Sequence, residues 1–245
     1  EGADLAGTVV LSSLDAKSDF EKFSPENAYK AKVLSFVSNM PDDIYSKSTS
    51  EVVKKYFLPQ EFFYVPNQFW EHKNHIVIFE ALRLLQKRNI RPCVVFTGTT
   101  FDSKNVNYFS KLLEKISAYN LREQTAILGF IERDDLYQLI RQSVAVVNPS
   151  LFEGWSTSVE ETKSIGKKMI LSDIGVHREQ DPPKSLYFDP DSSEDLANKL
   201  ETFWNSTKGG PDVEMESEAR TSYEIRINAY SQALNSVFSG TSHSG

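Results

Sequence analysis

Short apolar runs and amphipathic segments alternate along most of this chain, and short polar connections separate them. The apolar run Phe62–Val65 precedes an amphipathic segment at 74–89, and Pro92–Thr97 precedes another at 106–119. Continuous apolar runs of this length are typical of strands that are buried on both faces. The order predicts a parallel sheet with helices on both sides, which is an α/β fold of the doubly wound, Rossmann-like class.

The same alternation continues towards the carboxyl end of the chain. We predict strands at 125–128, 144–147, 169–171 and 186–188, and helices at 134–142, 159–165, 195–204 and 223–238. Sheets of this kind bind ligands beyond the carboxyl ends of their strands. The loops that follow the strands are therefore the candidate site.

The first part of the chain is predicted to form a smaller unit. An apolar run at 9–12, a short helix at 14–23 and a second apolar run at 32–37 have the order β-α-β. A polar stretch at 39–50, rich in Ser and Lys, is predicted to be a linker. We therefore divide the chain into a β-α-β unit with a hinge, a Rossmann-like domain, and a terminal helix with its tail, at residues 1–45, 46–210 and 211–245.

Composition excludes several classes of function. The chain has 245 residues, a formal net charge of -7 and a pI near 5.2, which argues against nucleic acid or an anionic membrane as a partner. One cysteine, Cys93, lies in an apolar run and is predicted to be a small buried hydrophobic residue. With neither a secretory signal nor an apolar stretch long enough for a membrane span, we expect a cytoplasmic location.

One strand-to-helix connection carries two acidic residues around a run of small ones. Glu153 lies in the loop, and Glu161 lies in the first turns of the following helix. Small residues between them leave backbone N–H groups accessible near a helix N-terminus, which suits a phosphate or sugar hydroxyls. A carboxylate there accepts paired hydrogen bonds from a ribose or hexose. An ordinary helix start with acidic residues in its first turn explains the same pattern, and these residues alone leave both interpretations open.

The segment Pro149-Ser150-Leu151-Phe152-Glu153-Gly154-Trp155, together with Glu161, resembles the E-x7-E signature of family 4 glycosyltransferases. These are retaining enzymes with two Rossmann-like domains, the GT-B fold. Three further segments are similar to family loops in the same order, so that the resemblance covers roughly residues 60 to 205. They are Tyr64 through His75, Asn120 through Ile131, and Leu171 through Glu179.

The resemblance implies roles for individual residues. Glu153 is the catalytic candidate and contacts the donor sugar, while Glu161 holds the ribose hydroxyls. Lys73 neutralises the diphosphate. The other implied donor contacts are the backbone of Gly154, Trp155 and Ser156, Gly129 and Ile131 beside the base, and Glu179 in a loop that faces the cleft.

Two positions depart from the family pattern. Gln68 stands where an arginine usually makes a second diphosphate contact, so a positive charge is absent there. Ser158 stands where proline is common, and we predict that it serves as a helix N-cap. Glu160, next to Glu161, is predicted to lie on a solvated or packing face, because adjacent helical residues point about 100° apart.

The resemblance also implies a function. The chain would bind a UDP-, GDP- or ADP-sugar, without a metal ion or other cofactor, and the sugar would pass with retention to a glycan or lipid-linked acceptor. In the family the acceptor site belongs to an N-terminal domain. The resemblance implies that residues 1–45 are a remnant of that domain with the hinge, and that residues 211–245 are the helix that crosses back to it, with a tail. We therefore expect a fragment that binds the donor but transfers no sugar. That missing domain leaves peripheral membrane association open. The alternatives are a non-catalytic nucleotide-sugar-binding module and another GT-B enzyme, such as a nucleotide-sugar epimerase or a phosphorylase.

Other candidate sites have simpler explanations. Asp189-Pro190-Asp191 matches the metal-binding D-x-D pattern, but a turn followed by a helix cap explains it. His72 and His75 are spaced like metal ligands without an evident third ligand, and His75 is predicted to face solvent or to cap a helix. Lys167-Lys168 is predicted to be a solvated turn, and Trp204 a core residue.

Overall fold

The computed structural model describes residues 2–239 and contains two parallel sheets. The smaller sheet pairs β1 (Val9–Leu11) with β2 (Ala31–Val33). The larger sheet has six strands in the order β5-β4-β3-β6-β7-β8, and all of its pairings are parallel. Its strands are β3 (Phe63–Pro66), β4 (Val94–Thr97), β5 (Thr125–Gly129), β6 (Val146–Asn148), β7 (Met169–Ser172) and β8 (Leu186–Phe188).

An α-helix lies between every pair of consecutive strands, and further helices precede β1 and follow β8. They are α1 (Gly2–Leu5), α2 (Leu14–Phe23), α3 (Thr49–Lys55), α4 (His75–Lys87), α5 (Tyr108–Ala118), α6 (Arg133–Gln142), α7 (Thr157–Ile165), α8 (Gly175–Gln180), α9 (Ser193–Ser206) and α10 (Val213–Ser239). Short 3-10 helices lie at Pro25–Lys30, Ile44–Ser46, Glu71–Lys73 and Arg122–Gln124. The predicted α/β class with a doubly wound parallel sheet is confirmed. Within the described residues, none of the helices is both long and apolar enough to cross a membrane.

Each face of the large sheet is covered by its own hydrophobic core. Phe63 and Val65 of β3 belong to the core beneath α4, α5 and α9, whereas Tyr64 between them belongs to the core beneath α3, α6 and α7. Successive strand residues point to opposite faces, so a strand with helices on both sides needs apolar residues throughout. Trp204 packs on the first core, with its ring centroid 5.8 Å from that of Phe63, as predicted.

The strand order places a crevice at the centre of the sheet. The chain runs from β3 outwards to β4 and β5, then returns to the other side of β3 with β6 and continues to β7 and β8. The connections after β3 and β6 therefore diverge to opposite sides. Doubly wound sheets bind their ligands at such a point, beyond the carboxyl ends of the two strands.

The structure differs from the prediction mainly in short or polar segments. Residues 175–180 were predicted as loop but form α8, which is too short to show a helical period. The predicted linker at 39–50 contains the 3-10 helix Ile44–Ser46 and the start of α3, and Ile44 is only 2% exposed. The last helix begins at Val213 rather than at Tyr223. The division at residues 45 and 210 stays a prediction.

Cys93 is partly buried and packs against the second core. Burial raises the pKa of its thiol to about 11. The prediction of a small hydrophobic residue is thus confirmed in part, since some of the side chain reaches solvent.

Candidate functional site

The candidate residues lie on loops that share the carboxyl edge of the large sheet. Gln68 and Lys73 follow β3, Gly129 ends β5, and Ile131 comes directly after it. The loop after β6 carries Glu153, Gly154, Trp155 and Ser156, and α7 continues it with Glu161. Glu179 follows β7, near the end of α8. Parallel strands bring all of these loops to one side of the sheet.

Lys73 and Glu153 form a largely buried ion pair between the loops that follow β3 and β6. The Lys73 Nζ lies 2.5 Å from the Glu153 Oε1, and the two side chains are 12% and 9% exposed. Ser150 Oγ donates a hydrogen bond of 2.8 Å to the same carboxylate oxygen. The positive charge and one carboxylate of the candidate site are thus in direct contact, at the point where the strand order reverses.

A buried network of amide and hydroxyl hydrogen bonds is connected to this pair through Ser150. Asn148, the last residue of β6, accepts hydrogen bonds from Asn67 and Ser150 and donates to Ser156 and Ser158. Its Oδ1 lies 3.1 Å from Asn67 Nδ2 and 2.7 Å from Ser150 Oγ. The network fixes the loop after β6 against the loop after β3. Asn67 and Asn148 were not predicted as site residues, although a polar residue at or directly after the end of a buried strand is a signal that points to them.

Ser158 belongs to this network and does not cap α7. Its hydroxyl accepts from Asn148 Nδ2 at 3.2 Å and lies 3.3 Å from Asn67 Oδ1. Ser156 holds the N-cap position of α7. The predicted N-cap role of Ser158 is therefore wrong by two residues, because the loop joins the helix earlier than the pattern suggested.

Gly98 lets the loops after β3 and β4 come into contact. Its φ is +130°, and a Cβ at this position would lie 2.5 Å from the Asn67 carbonyl oxygen. Only glycine fits such a close backbone approach at a positive φ. Beside it, Gln68 Oε1 accepts a hydrogen bond from the Thr99 backbone N–H. Gln68 therefore joins the two loops, and its amide supplies no positive charge to the crevice.

Glu161 is paired with Arg133 at the start of α6. Arg133 Nη2 lies 3.2 Å from Glu161 Oε1, and the two side chains are 68% and 10% exposed. Burial raises the pKa of Glu161, and the guanidinium of Arg133 opposes that rise. Arg133 comes two residues after Ile131, beside the loop assigned to the nucleotide base. Arg133 was not predicted as a site residue, because its partner lies 28 residues away in the chain.

Glu160 lies on the packing face of α7 rather than in solvent. It is 2% exposed, its Oε2 accepts from Arg226 Nη1 of α10 at 3.1 Å, and its Oε1 accepts from Gln180 Nε2 at 3.3 Å. Gln180 Oε1 in turn accepts a hydrogen bond of 3.3 Å from the Ser156 N–H. Glu160 and Glu161 thus point in different directions, as the helical geometry required, and the Ser156 N–H is held by a side chain.

The β-α-β unit contacts the candidate loops directly. Ser12 Oγ donates to the Gly154 carbonyl at 3.0 Å, and the Trp155 indole N–H donates to the Phe36 carbonyl at 3.0 Å. Both carboxylate oxygens of Glu179 accept from the Leu14 N–H, at 2.9 Å each, in the first turn of α2. Glu179 was predicted to face the cleft, and it lies at the boundary between this unit and the large sheet.

Two predictions about neighbouring residues are wrong. His75 is fully buried, and its ring stacks on Phe69 with centroids 4.6 Å apart. Burial lowers the pKa of His75 to about 3, so the ring is neutral. Lys167 is 3% exposed, donates to the carbonyls of Arg141 and Gly210, and has its pKa lowered by burial to about 8. His75 is the first residue of α4, and Lys167 lies in the turn after α7; at such helix ends a sequence pattern does not reveal tertiary contacts.

The metal candidates have structural explanations. The Asp191 N–H donates to Asp189 Oδ1 at 3.0 Å, and Ser192 caps α9 through the Asp195 N–H, so the predicted turn and cap are confirmed. Among residues 2–239, no three His, Cys, Asp or Glu side chains are close enough together to hold a metal ion. Whether ligand binding needs a metal stays a prediction.

Comparison with known proteins places the chain in a family. Residues 48–222 match the family model described as glycosyl transferases group 1. A curated relative, the Escherichia coli UDP-Gal:alpha-D-GlcNAc-diphosphoundecaprenol alpha-1,3-galactosyltransferase, is 28% identical over 116 residues. That alignment covers 46% of this chain and 28% of the relative.

Solved structures show the fold. The Anabaena protein HepE, crystallised with UDP, superposes with a TM-score of 0.75 at 19% identity, over 98% of this chain and 65% of HepE. The sucrose-phosphate synthase of Thermosynechococcus elongatus superposes with a TM-score of 0.69 at 16% identity, over 96% of this chain and 59% of the synthase. The chain therefore has the architecture of GT-B glycosyltransferases, and it spans less than two thirds of the length of these relatives.

Proposed function

The chain belongs to the group 1 glycosyl transferases, and on that basis we propose that it binds a nucleotide-diphospho-sugar at the carboxyl edge of its large sheet. The observation that carries the proposal is the contact of Lys73 with Glu153 where the strand order reverses, with Glu161 about one turn into α7. We propose UDP as the nucleotide, because HepE was crystallised with UDP and the Escherichia coli relative is named for a UDP-sugar.

Each group is proposed to hold one part of the donor. The Lys73 ammonium binds the diphosphate, and the Glu161 carboxylate binds the ribose diol beside Ile131. Glu153 and the backbone of the loop after β6 face the sugar. When the sugar leaves, negative charge builds on the diphosphate, and a cation held in a protected crevice stabilises that charge without reorganisation.

The activity that we propose for the whole protein is transfer of the donor sugar to an acceptor. We propose that the acceptor, a glycan or a lipid-linked sugar, approaches across the boundary where the β-α-β unit meets Gly154 and Glu179. We propose further that the sugar keeps its anomeric configuration, as expected from the resemblance to retaining enzymes. Product analysis by NMR, with the acceptor present, would distinguish this transfer from epimerisation or from binding without chemistry.

The first prediction concerns the nucleotide and the metal. We expect UDP to bind the chain more tightly than GDP or ADP, and to bind equally well after dialysis against EDTA, because Lys73 and backbone N–H groups supply the positive potential. Isothermal titration calorimetry with and without added Mg²⁺ measures both effects. Binding that disappears on chelation and returns with Mg²⁺ or Mn²⁺ would show that a metal ion carries the diphosphate.

The second prediction concerns Glu161. Charge-assisted hydrogen bonds to the ribose diol contribute about 1.5–3 kcal/mol each, so Glu161→Ala should weaken UDP binding at least about tenfold. Glu160→Gln is the matched control, since it changes the adjacent carboxylate but keeps an acceptor for Gln180. We expect a much smaller loss of affinity in that variant, with folding of both checked by circular dichroism. If the Glu160 variant is the more damaged in binding, the ribose assignment is wrong.

A further inference from the structure

Lys73 and Glu153 are assigned to different parts of the donor, yet they contact each other. With Nζ and Oε1 2.5 Å apart, the ammonium and the carboxylate are in direct contact as an ion pair. At this distance the carboxylate occupies one of the directions from which a phosphate oxygen would approach the ammonium. A diphosphate that binds Lys73 therefore competes with Glu153 for the same group.

The surrounding contacts hold the two residues in register. The Leu151 N–H donates to the His72 carbonyl at 2.8 Å, so the loop after β6 is bound to the residue before Lys73. The ring of Phe152, the residue before Glu153, stacks on that of His72 with centroids 4.6 Å apart. Because these contacts join the two loops at the residues directly before Lys73 and Glu153, the exchange of partners needs side-chain rotation rather than separation of the loops.

Because both side chains are largely buried, Lys73 and Glu153 can separate only if each finds a new partner for its charge. With side chains 12% and 9% exposed, neither charge can be left alone without a large desolvation cost. A free nucleoside diphosphate gives Lys73 a new partner but leaves Glu153 beside an added anion. A nucleotide-sugar supplies both needs, since its phosphates neutralise Lys73 and its sugar hydroxyls donate to the Glu153 carboxylate.

We propose that Glu153 acts as an internal competitor of the diphosphate on Lys73, and that the donor sugar relieves this competition. The inference rests on the proposed function, because it takes Lys73 as the diphosphate ligand. It gives Glu153 a second task besides contacting the sugar. The pair selects the sugar-bearing donor over the bare nucleotide, and once the sugar has left, the return of Glu153 to Lys73 promotes release of the nucleotide product.

The third prediction tests this competition. Glu153→Gln keeps the size of the side chain and an acceptor for Ser150 Oγ but removes the negative charge. We expect UDP and inorganic pyrophosphate to bind this variant about fivefold to tenfold more tightly than the wild-type chain, a gain of roughly 1–1.4 kcal/mol. The affinity for a UDP-sugar should not rise in parallel, because the variant loses the charged contact to the sugar. Calorimetric titration of the 245-residue chain measures all three ligands.

Two further variants make the result decisive. Glu153→Ala also removes the charge, so it should bind UDP more tightly as well. It takes the place of the Gln variant if that variant folds poorly. Glu114→Gln removes an exposed carboxylate of α5, and it should leave UDP affinity unchanged, which separates local competition from a general change in charge. If the wild-type chain binds UDP and the charge-removing Glu153 variants bind it no more tightly, the competition is refuted while the proposed function stands. If the wild-type chain binds none of the ligands, both are refuted.

Discussion

Replacing Lys73 by methionine is expected to weaken UDP binding at least about a hundredfold, which corresponds to about 2.7 kcal/mol. The Lys73 ammonium lies where the strand order reverses, and Gln68 on the same loop supplies no positive charge, since its side-chain oxygen accepts from the Thr99 N–H. The Glu153 side chain is 9% exposed in the wild type, and the substitution leaves its carboxylate without the ammonium partner, beside the proposed position of the phosphates. The lost attraction between Lys73 and the diphosphate and the added repulsion from Glu153 both weaken binding. Isothermal titration calorimetry measures their combined effect on UDP affinity.

The double variant Lys73→Met with Glu153→Gln separates the two effects. It lacks the ammonium but also lacks the orphaned carboxylate, so it should bind UDP more tightly than Lys73→Met alone and still more weakly than the wild type. Both variants need a circular dichroism spectrum like that of the wild type. A Lys73→Met chain that folds and binds UDP with nearly wild-type affinity would remove Lys73 from the site.

Replacing Arg141 by alanine is expected to lower the free energy of unfolding by about 3–5 kcal/mol, because it breaks a buried ion pair and leaves one partner uncompensated. Arg141 is 4% exposed, and its Nε lies 2.8 Å from Glu216 Oε1 at the start of α10. Its Nη1 donates to the carbonyls of Ile44 and Lys47, at 2.9 Å each. One side chain thus holds α6, α10 and the segment before α3 together.

Urea denaturation measures this effect, and an exposed pair provides the control. Lys22→Ala breaks the pair between Lys22 and Asp19, whose side chains are 73% and 74% exposed, and pairs of that kind contribute about 0–1 kcal/mol. UDP affinity should change little in Arg141→Ala under conditions where it stays folded, since Arg141 lies away from the carboxyl edge. A loss of less than about 1 kcal/mol would mean that the segments at 44–47 and α10 are held by other contacts.

The large sheet and its helices were predictable because local patterns encode them. Long amphipathic helices such as α4, α5 and α9 repeat their apolar residues with the helical period, and their strands are continuously apolar. The element order then allows few topologies, because parallel connections are short and right-handed. The spacing of Glu153 and Glu161 was also visible, since both belong to one loop and its helix.

Pairings between distant residues could not be predicted from a single sequence. Three ion pairs join residues that are far apart in the chain. The separation is 28 positions for Arg133 and Glu161, 66 for Arg226 and Glu160, and 75 for Arg141 and Glu216. Nothing in the local pattern around these arginines differs from that of a solvated cation. The errors at His75 and Lys167 have the same origin, because burial of a polar side chain depends on elements that pack from elsewhere in the chain.

Lys73 and Glu153 were each recognisable from a local sequence motif, whereas the contact between them was not. Each residue was assigned to the donor by its position in a motif, but their contact depends on β3 and β6 being neighbours in the sheet. Only the strand order brings the two loops together. The competition between carboxylate and diphosphate follows from that order and from the burial of both side chains.

A crystal structure of the chain with bound UDP tests the central claim most directly. The account predicts diphosphate oxygens within hydrogen-bond distance of the Lys73 Nζ, the ribose hydroxyls on the Glu161 carboxylate, and the Glu153 carboxylate turned away from Lys73. UDP bound elsewhere, for example in the cavity that Tyr45, Arg220 and Tyr223 line between the segment before α3 and α10, would contradict it. So would UDP in the crevice with the Lys73–Glu153 pair still intact.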